Sequence, residues 1–393
     1  MDVSPPNDSW DEQLGAWLAE REAAGLRRRL RVADGYAGHE VEIDGKRVLH
    51  FSSNDYLGLA RHPRLIEAAR EAATRWGAGS GASRLVGGNL AVQADLDEAL
   101  AAFKGRPAAL SFSTGYAAAV GTVPALVEKG DAVLLDKRAH ASLIDGARLS
   151  GATLRVFPHN DLNYLEKLLR QSQGVRRVLI VTESVFSMDG DTAPLREICD
   201  LKDAAGKKVW LMVDEAHAVG LYGARRTGLI EALGLTERVE VQMGTLSKAL
   251  GASGGVISGS RLLIDTLINR ARSLIYSTAP SPAACGAARA ALEIVSGDEG
   301  AARCARLWEN VAAFAAATGV PSPSPIFPIL FGPEEKATAA SAALAEQGIL
   351  VPPIRYPTVA RGQARLRVTL TSEAKPEQIA MLATALRKLR DGV

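Results

Sequence analysis

The sequence predicts an α/β fold: a large domain built on a mainly parallel sheet of the seven-stranded type, a helical N-terminal segment before it, and a smaller C-terminal α+β domain after it. Three observations predict it. From residue 108 onward, short apolar runs recur at intervals that leave room for crossover helices, the pattern of a parallel sheet covered on both faces. Polar residues gather just after those runs, at the carboxyl ends where sheets of this class bind ligands. A length of 393 residues exceeds what one core usually supports, so a second, smaller domain is expected.

Composition narrows the function. A hydrophobic content of 47% with 23% charged residues is that of a globular chain, and a net charge of +2 supplies no field for nucleic acid or an anionic membrane. Cys199, Cys285 and Cys304 are odd in number and widely spaced. They form neither a metal-ligand pattern nor a disulfide framework, so the expectation is no metal, buried thiols and a reducing, cytoplasmic setting. Met1–Gln13 carries acidic residues and prolines without a basic start, and reads as no secretory signal. The most apolar stretch, Pro107–Val127, is interrupted by Ser111, Ser113, Thr114, Gly115 and Gly121, and so reads as a buried strand and helix and not as a membrane span.

In chain order, Trp10–Arg31 reads as one amphipathic helix, with Leu14, Trp17, Leu18, Leu26 and Leu30 at helical spacing. Its basic end, Arg27 to Arg29 with Arg31, is either a solvated face or a site for anionic substrate groups. Strands follow at Val41–Ile43 and Val48–Phe51, then a polar turn, Ser52–Gly58, that places Asn54 near a ligand. Gly77–Gly88 holds five glycines and must be a loop; without the G-x-G-x-x-G spacing it is no dinucleotide fingerprint. Strands are expected at Ala108–Phe112, Ala132–Leu135, Thr153–Phe157, Val178–Thr182, Val209–Val213 and Glu240–Met243. Helices then read at Arg261–Arg272, Ser281–Val295 and Ala301–Ala317, and the proline-rich run Pro321–Pro325 leads to a strand at Phe327–Phe331. A helix at Ala337–Gln347, strands at Ile349–Ile354 and Ala364–Thr369, and a final helix at Pro376–Arg390 complete the chain. The expected divisions are 1–50, 51–278 and 279–393.

The strand ends carry the chemistry. Thr114, Gly115 and Tyr116 open a helix whose free N–H groups suit a phosphate; His140, Ser187, Asp214 and His217 follow other strands, and Thr245, Ser247 and Lys248 follow the last. Any one of these has a bland reading, a solvated lysine or a capping aspartate, but together they match the needs of pyridoxal 5'-phosphate. That cofactor needs a lysine amine for a Schiff base, a carboxylate on its pyridine nitrogen and a phosphate anchor. Lys248, Asp214 and the Thr114 to Tyr116 turn fill those roles, with Thr245 and Ser247 beside the phosphate, His140 as the stacking face, and His217 or Ser187 at the phenolic oxygen. Lys248 then doubles as the proton-transfer base. A guanidinium clamp for the substrate carboxylate is expected at Arg367, with Arg365 two positions away on the same strand face.

The motifs Asn54-Asp-Tyr-Leu-Gly58, Thr182-Glu-Ser-Val-Phe-Ser-Met-Asp-Gly190, Asp214-Glu-Ala-His217 and Gly244-Thr-Leu-Ser-Lys248 closely resemble the α-oxoamine synthases, a pyridoxal-phosphate family of the aspartate-aminotransferase fold. The likeness runs from about Leu26 to the C-terminus, and Phe51–Leu59, His159–Asp161, Leu274–Thr278 and Arg365–Thr371 point to the member that serves biotin synthesis. It implies decarboxylative condensation of L-alanine with a pimeloyl thioester, on coenzyme A or acyl carrier protein. It also implies a homodimer with active sites at the interface, Ser277 or Thr278 reaching the partner's phosphate, Arg27 and Thr358 meeting substrate, and His140 assisting the acyl step. Other members pair glycine with acetyl or succinyl groups, or serine with palmitoyl groups; an aminotransferase would use the same cofactor set without an acyl donor. A helicase reading of Asp214–His217 fails because no G-x-x-x-x-G-K-[ST] loop precedes it.

Overall fold

The computed structural model describes residues 9–391, and its contacts divide them into two units. Residues 53–327 and 369–387 form the larger; 9–52, 328–368 and 388–391 form the smaller. The expectations for residues 1–8 lie outside the described residues.

Apolar runs rich in Val, Leu and Ile build the central sheet of the larger unit. Its strands are β1 (Ala108–Phe112), β2 (Ala132–Asp136), β3 (Thr153–Phe157), β4 (Val178–Glu183), β5 (Val209–Asp214), β6 (Val241–Thr245) and β7 (Gly255–Gly259). The spatial order is β1-β7-β6-β5-β4-β2-β3, with β7 antiparallel to both neighbours and every other pairing parallel. This is the mainly parallel seven-stranded sheet that the sequence predicts. Only β7 escapes the sequence reading, because two glycines in Gly255-Val-Ile-Ser-Gly259 dilute the strand signal.

Leu110, Val133, Leu135, Met243 and Ile257 of the sheet are buried with Ala119, Val123, Leu143 and Leu267 from the helices Gly115–Leu126, Ala141–Leu149 and Arg261–Arg270. Each fully buried Leu, Val, Ile or Met side chain contributes about 1.5–3 kcal/mol. This layer therefore fixes the strands whose carboxyl ends carry the chemistry.

In the smaller unit, Ala33–Ala37, Glu40–Ile43, Lys46–His50 and Ile349–Leu350 form a four-stranded sheet. Three sequence expectations need correction. The N-terminal helix spans Trp10–Ala23 and not Trp10–Arg31. Gly25, at φ +64°, turns the chain, and the N–H groups of Leu26 and Arg27 return to the Arg21 carbonyl, so Arg27 to Arg31 lie beyond the helix. The strand expected over Ile349–Ile354 divides into Ile349–Leu350 and Pro353–Ile354, which serve different sheets. The helix expected over Arg261–Arg272 stops at Arg270, and Arg272–Ile275 forms a separate turn of helix.

One glycine shapes the chain just beyond β6. Gly251 sits at φ +62°, its N–H bonded to the Lys248 carbonyl, and an added Cβ would stand 2.4 Å from Ala60 N and 2.5 Å from Leu59 C. These are backbone atoms and cannot swing aside. Gly251→Ala is expected to destabilise the protein by about 1–3 kcal/mol, read as a lowered denaturant midpoint. An unchanged midpoint contradicts the close approach.

Candidate active site

Parallel pairing brings the strand ends into line. Glu183, the last residue of β4, stands opposite Asp214, the last of β5, and Asp214 stands opposite Met243 on β6. Directly after β6, the turn containing Lys248, three residues past the strand's end, is built by hydroxyl groups. Thr245 Oγ1 donates to the Gly254 carbonyl (2.9 Å), lies 2.8 Å from Ser247 Oγ, and accepts the Ser247 N–H (3.3 Å).

A pocket of about 150 Å³ opens at this edge. Lys248, Asp214, His217 and His140 line it, together with Gly115, Tyr116, Thr245 and Ser247, so eight of the expected site residues come together in space. Thr114 caps the adjoining helix, its Oγ1 accepting the Ala117 N–H at 3.0 Å. That leaves the N–H groups of Gly115 and Tyr116 at the helix start, where a dipole favours an anion. Ser187 is buried on the loop after β4. Asn54 reaches the site through Tyr56, whose hydroxyl donates to Asn54 Oδ1 at 3.4 Å and lies 2.5 Å from His217 Nδ1.

The pocket lining comes wholly from the larger unit. Arg27, Thr358, Arg365 and Arg367 belong to the smaller one, where Arg365 and Arg367 are buried on one strand, Arg27 pairs with Glu22 (3.4 Å), and Thr358 Oγ1 accepts from Arg28 (3.4 Å).

The alternation within Asp214-Glu-Ala-His217 has a physical cause. Glu215 is directed into the scaffold, where a fully buried ion pair holds it to Lys104 (2.5 Å) and it accepts the Ile230 N–H (2.8 Å). Lys104 also donates to the Thr227 carbonyl (2.9 Å). Removing either charge alone would strand the other in the core, which costs about 3–5 kcal/mol. With Glu215 so anchored, Asp214 and His217 face the pocket, and Asp214 Oδ1 accepts the Ala216 N–H at 2.8 Å.

Sequence reasoning passed over two residues that the geometry makes prominent. Glu183 lines the pocket, and its Oε1 is buried without a hydrogen-bond partner. Burial pushes its carboxyl well above the usual range, and neighbouring Asp214 pushes the same way; Lys248 and the backbone N–H groups of His140 and Ser187 act against them. Tyr56 is the other, visible in sequence only as part of Asn54-Asp-Tyr-Leu-Gly58.

Donor chemistry decides what fits here. A lysine amine, a buried carboxylate, a neutral imidazole and an uncommitted helix N-terminus converge within one pocket, and an unpartnered buried carboxyl oxygen lies at its wall. These suit an aromatic aldehyde that carries a cationic ring and a phosphate. A lysine-bearing turn at the carboxyl edge of this seven-stranded sheet defines the aminotransferase-like class of enzymes.

Comparisons with known proteins agree. The family model for aminotransferase class I and II matches residues 46–386. Curated relatives named 8-amino-7-oxononanoate synthase include those of Anaeromyxobacter dehalogenans, 47% identical over 95% of this chain and 94% of the relative, and Methylorubrum populi, 48% identical over 98% and 97%. Among solved structures, serine palmitoyltransferase of Sphingomonas wittichii superposes with a TM-score of 0.91 at 28% identity, covering 98% of this chain and 99% of that one. An 8-amino-7-oxononanoate synthase from Francisella tularensis gives 0.75 at 28% identity, covering 88% and 99%. The chain belongs to the aminotransferase class I and II family and, within it, to the 8-amino-7-oxononanoate synthases.

His140 supplies a pH test of the pocket. Its Nδ1 accepts the Ser142 N–H at 3.3 Å, and burial first, then Lys248, lower its pKa below 6.5, against Asp214. A histidine held neutral in the fold is protonated first in the unfolded chain, so this residue's effect is to weaken the fold as pH drops below 6.5. Nitrogen NMR should show His140 uncharged at neutral pH, with a midpoint under 6.5. A midpoint above that value sinks the assignment.

Proposed function

We propose that this chain condenses L-alanine with a pimeloyl thioester, releasing carbon dioxide and the free thiol and yielding 8-amino-7-oxononanoate, with pyridoxal 5'-phosphate as cofactor. The observation that carries this reading is the pocket in which Lys248 meets Asp214, His140 and His217. The names of relatives 44–48% identical along nearly the whole chain give the product, 8-amino-7-oxononanoate, and the substrates are those whose condensation yields it. Solved relatives also carry this cofactor: a serine palmitoyltransferase from S. paucimobilis is described with bound PLP.

When bound, the cofactor withdraws electrons from the amino-acid Cα. The chain's own residues do the rest. Lys248 Nζ would hold the cofactor's aldehyde carbon and, as a free amine, would take the Cα proton of L-alanine. Asp214 would keep a proton on the pyridine nitrogen, and the Gly115 and Tyr116 N–H groups, capped by Thr114 and assisted by Thr245 and Ser247, would hold the phosphate. His140 would pack against the ring and assist the acyl step, while His217, steadied by Tyr56, or Ser187 would meet the phenolic oxygen. Arg367 clamps the alanine carboxylate, with Arg365 as its neighbour, until that group leaves as carbon dioxide. Asn54, Arg27 and Thr358 meet substrate.

The acyl donor is pimeloyl-CoA or pimeloyl-acyl carrier protein, and the working unit is a homodimer with active sites at the interface, to which Ser277 or Thr278 brings the partner's phosphate contact. Among the described residues no helix is long and apolar enough to cross a membrane.

Two measurements test the function. Offering L-alanine, glycine or serine with pimeloyl, acetyl, succinyl or palmitoyl thioesters should give carbon dioxide and free thiol fastest from alanine with pimeloyl; preference for another pair overturns the substrate assignment. Lys248→Ala should lose the visible absorption of the lysine-bound cofactor and at least ~10⁴-fold of the turnover. Retention of both refutes Lys248 as the anchor.

A further inference from the structure

Two loops beside the pocket are tied together at points that play no part in the reaction described above. One follows β2 and runs from Asp136 to His140; the other follows β4 and runs from Ser184 through Ser187 to Asp191. His159, on the turn after β3, stands between them. Its Nδ1 lies 3.0 Å from Asp136 Oδ1 and its Nε2 lies 2.7 Å from Asp191 Oδ2. Phe186, from the second loop, packs edge-on to the imidazole with ring centroids 4.3 Å apart.

Each carboxylate accepts, so the 3.0 and 2.7 Å contacts at the two ring nitrogens call for protons on both, and they are shorter than the 3.3 Å approach of Asn160 Nδ2 to Nε2, which a protonated nitrogen does not accept. The ring is therefore a cation between two anions. Asp136 is fully buried and also takes the N–H groups of Arg138 (2.8 Å) and Asn160 (3.0 Å), which fixes the start of the His140 loop. Asn160 Nδ2 donates to the Thr192 carbonyl (3.1 Å), just past the end of the second loop. A further ion pair, Arg138 to Asp189 at 3.0 Å, joins the same two loops. The charged groups about His159 are thus Asp136 from β2, Asp191 from the second loop, and the Arg138–Asp189 pair beyond them. Burial opposes the charge on His159, but hydrogen bonds to Asp136 and Asp191 prevail and hold its pKa up at about 9.

We propose that His159 is a positioning residue, an imidazolium clasp that sets the spacing of the loops bearing His140 and Ser187 and thereby the pocket's grip on its cofactor. The role rests on the pyridoxal-phosphate reading of the pocket. His159 touches no reacting atom. It acts through the two loops, one of which carries a pocket-lining histidine and the other a serine whose N–H, like that of His140, hydrogen-bonds to Glu183.

The sign of the pH effect follows. A histidine raised in the fold supports it fully below the ordinary 6.5, and that support is lost as pH rises through about 9. Cofactor affinity should fall over the same window.

The experiment titrates the cofactor-free full chain with pyridoxal phosphate, followed by absorbance, from neutral pH to above the His159 transition, alongside thermal unfolding without cofactor. The wild type should show weakening affinity centred near 9. His159→Gln should bind about tenfold more weakly at neutral pH and lack that step. Asp191→Asn, which keeps the shape and removes one of the two facing charges, should move the step to lower pH; it carries the decision if His159→Gln does not fold. A lowered unfolding temperature with unchanged affinity means a purely structural role and overturns the proposal, as does a step that stays in place in both variants. A wild type that binds no pyridoxal phosphate overturns this role and the proposed function together, whereas normal wild-type binding with unresponsive variants overturns this role alone.

Discussion

The register that sets Glu183 against Asp214 and Asp214 against Met243 is the constraint on which the pocket depends. Parallel pairing delivers each strand's last residue to the same edge, and a slip of one position would send every side chain to the opposite face. Lys248 needs no special signal of its own to be placed. It follows β6 by a turn that Thr245 and Gly254 close, and β6 is held by its pairing with β5.

Charge has to be settled at the same edge. Two carboxyl groups at adjacent strand ends, both buried, cannot both ionise without cost, and burial, with Asp214 beside it, pushes Glu183 toward its neutral form. A neutral Glu183 adds no second negative charge to this edge. Glu215, one residue further on, is removed from this competition because Lys104 neutralises it inside the scaffold. The motif Asp214-Glu-Ala-His217 thus serves two environments with consecutive residues.

Much of this was legible in the sequence, for reasons that differ by element. The six strands read correctly are short, mostly apolar runs, and Lys248, Asp214, His217 and His140 follow such runs closely, so strand position alone carries them to one edge. The N-terminal helix was overextended because Leu26 and Leu30 kept its period while Gly25, which ends it, was one residue among many. β7 was lost to its glycines, yet those glycines are needed: a Cβ at Gly255 would lie 2.5 Å from the Thr114 carbonyl oxygen. Glu183 and Tyr56 stood inside quoted motifs, but their roles arise from burial and from a contact across 161 residues of chain, which no local pattern records. His159 carries no local signal of this contact, because its two carboxylate partners come from separate loops and meet it only in the fold.

The placement of β7 also bears on how the protein is made. β1 has one neighbour in the sheet, and that neighbour is β7, with Ala108 paired to Gly259. While the chain emerges from the ribosome, β1 has no strand partner until residues beyond Lys248 have been synthesised. Contacts of such long sequence separation close slowly, because the intervening chain loses its entropy first. The edge of the sheet that leads into the helix at Gly115 is consequently completed late, after the strand bearing Asp214 and the turn bearing Lys248 have been synthesised.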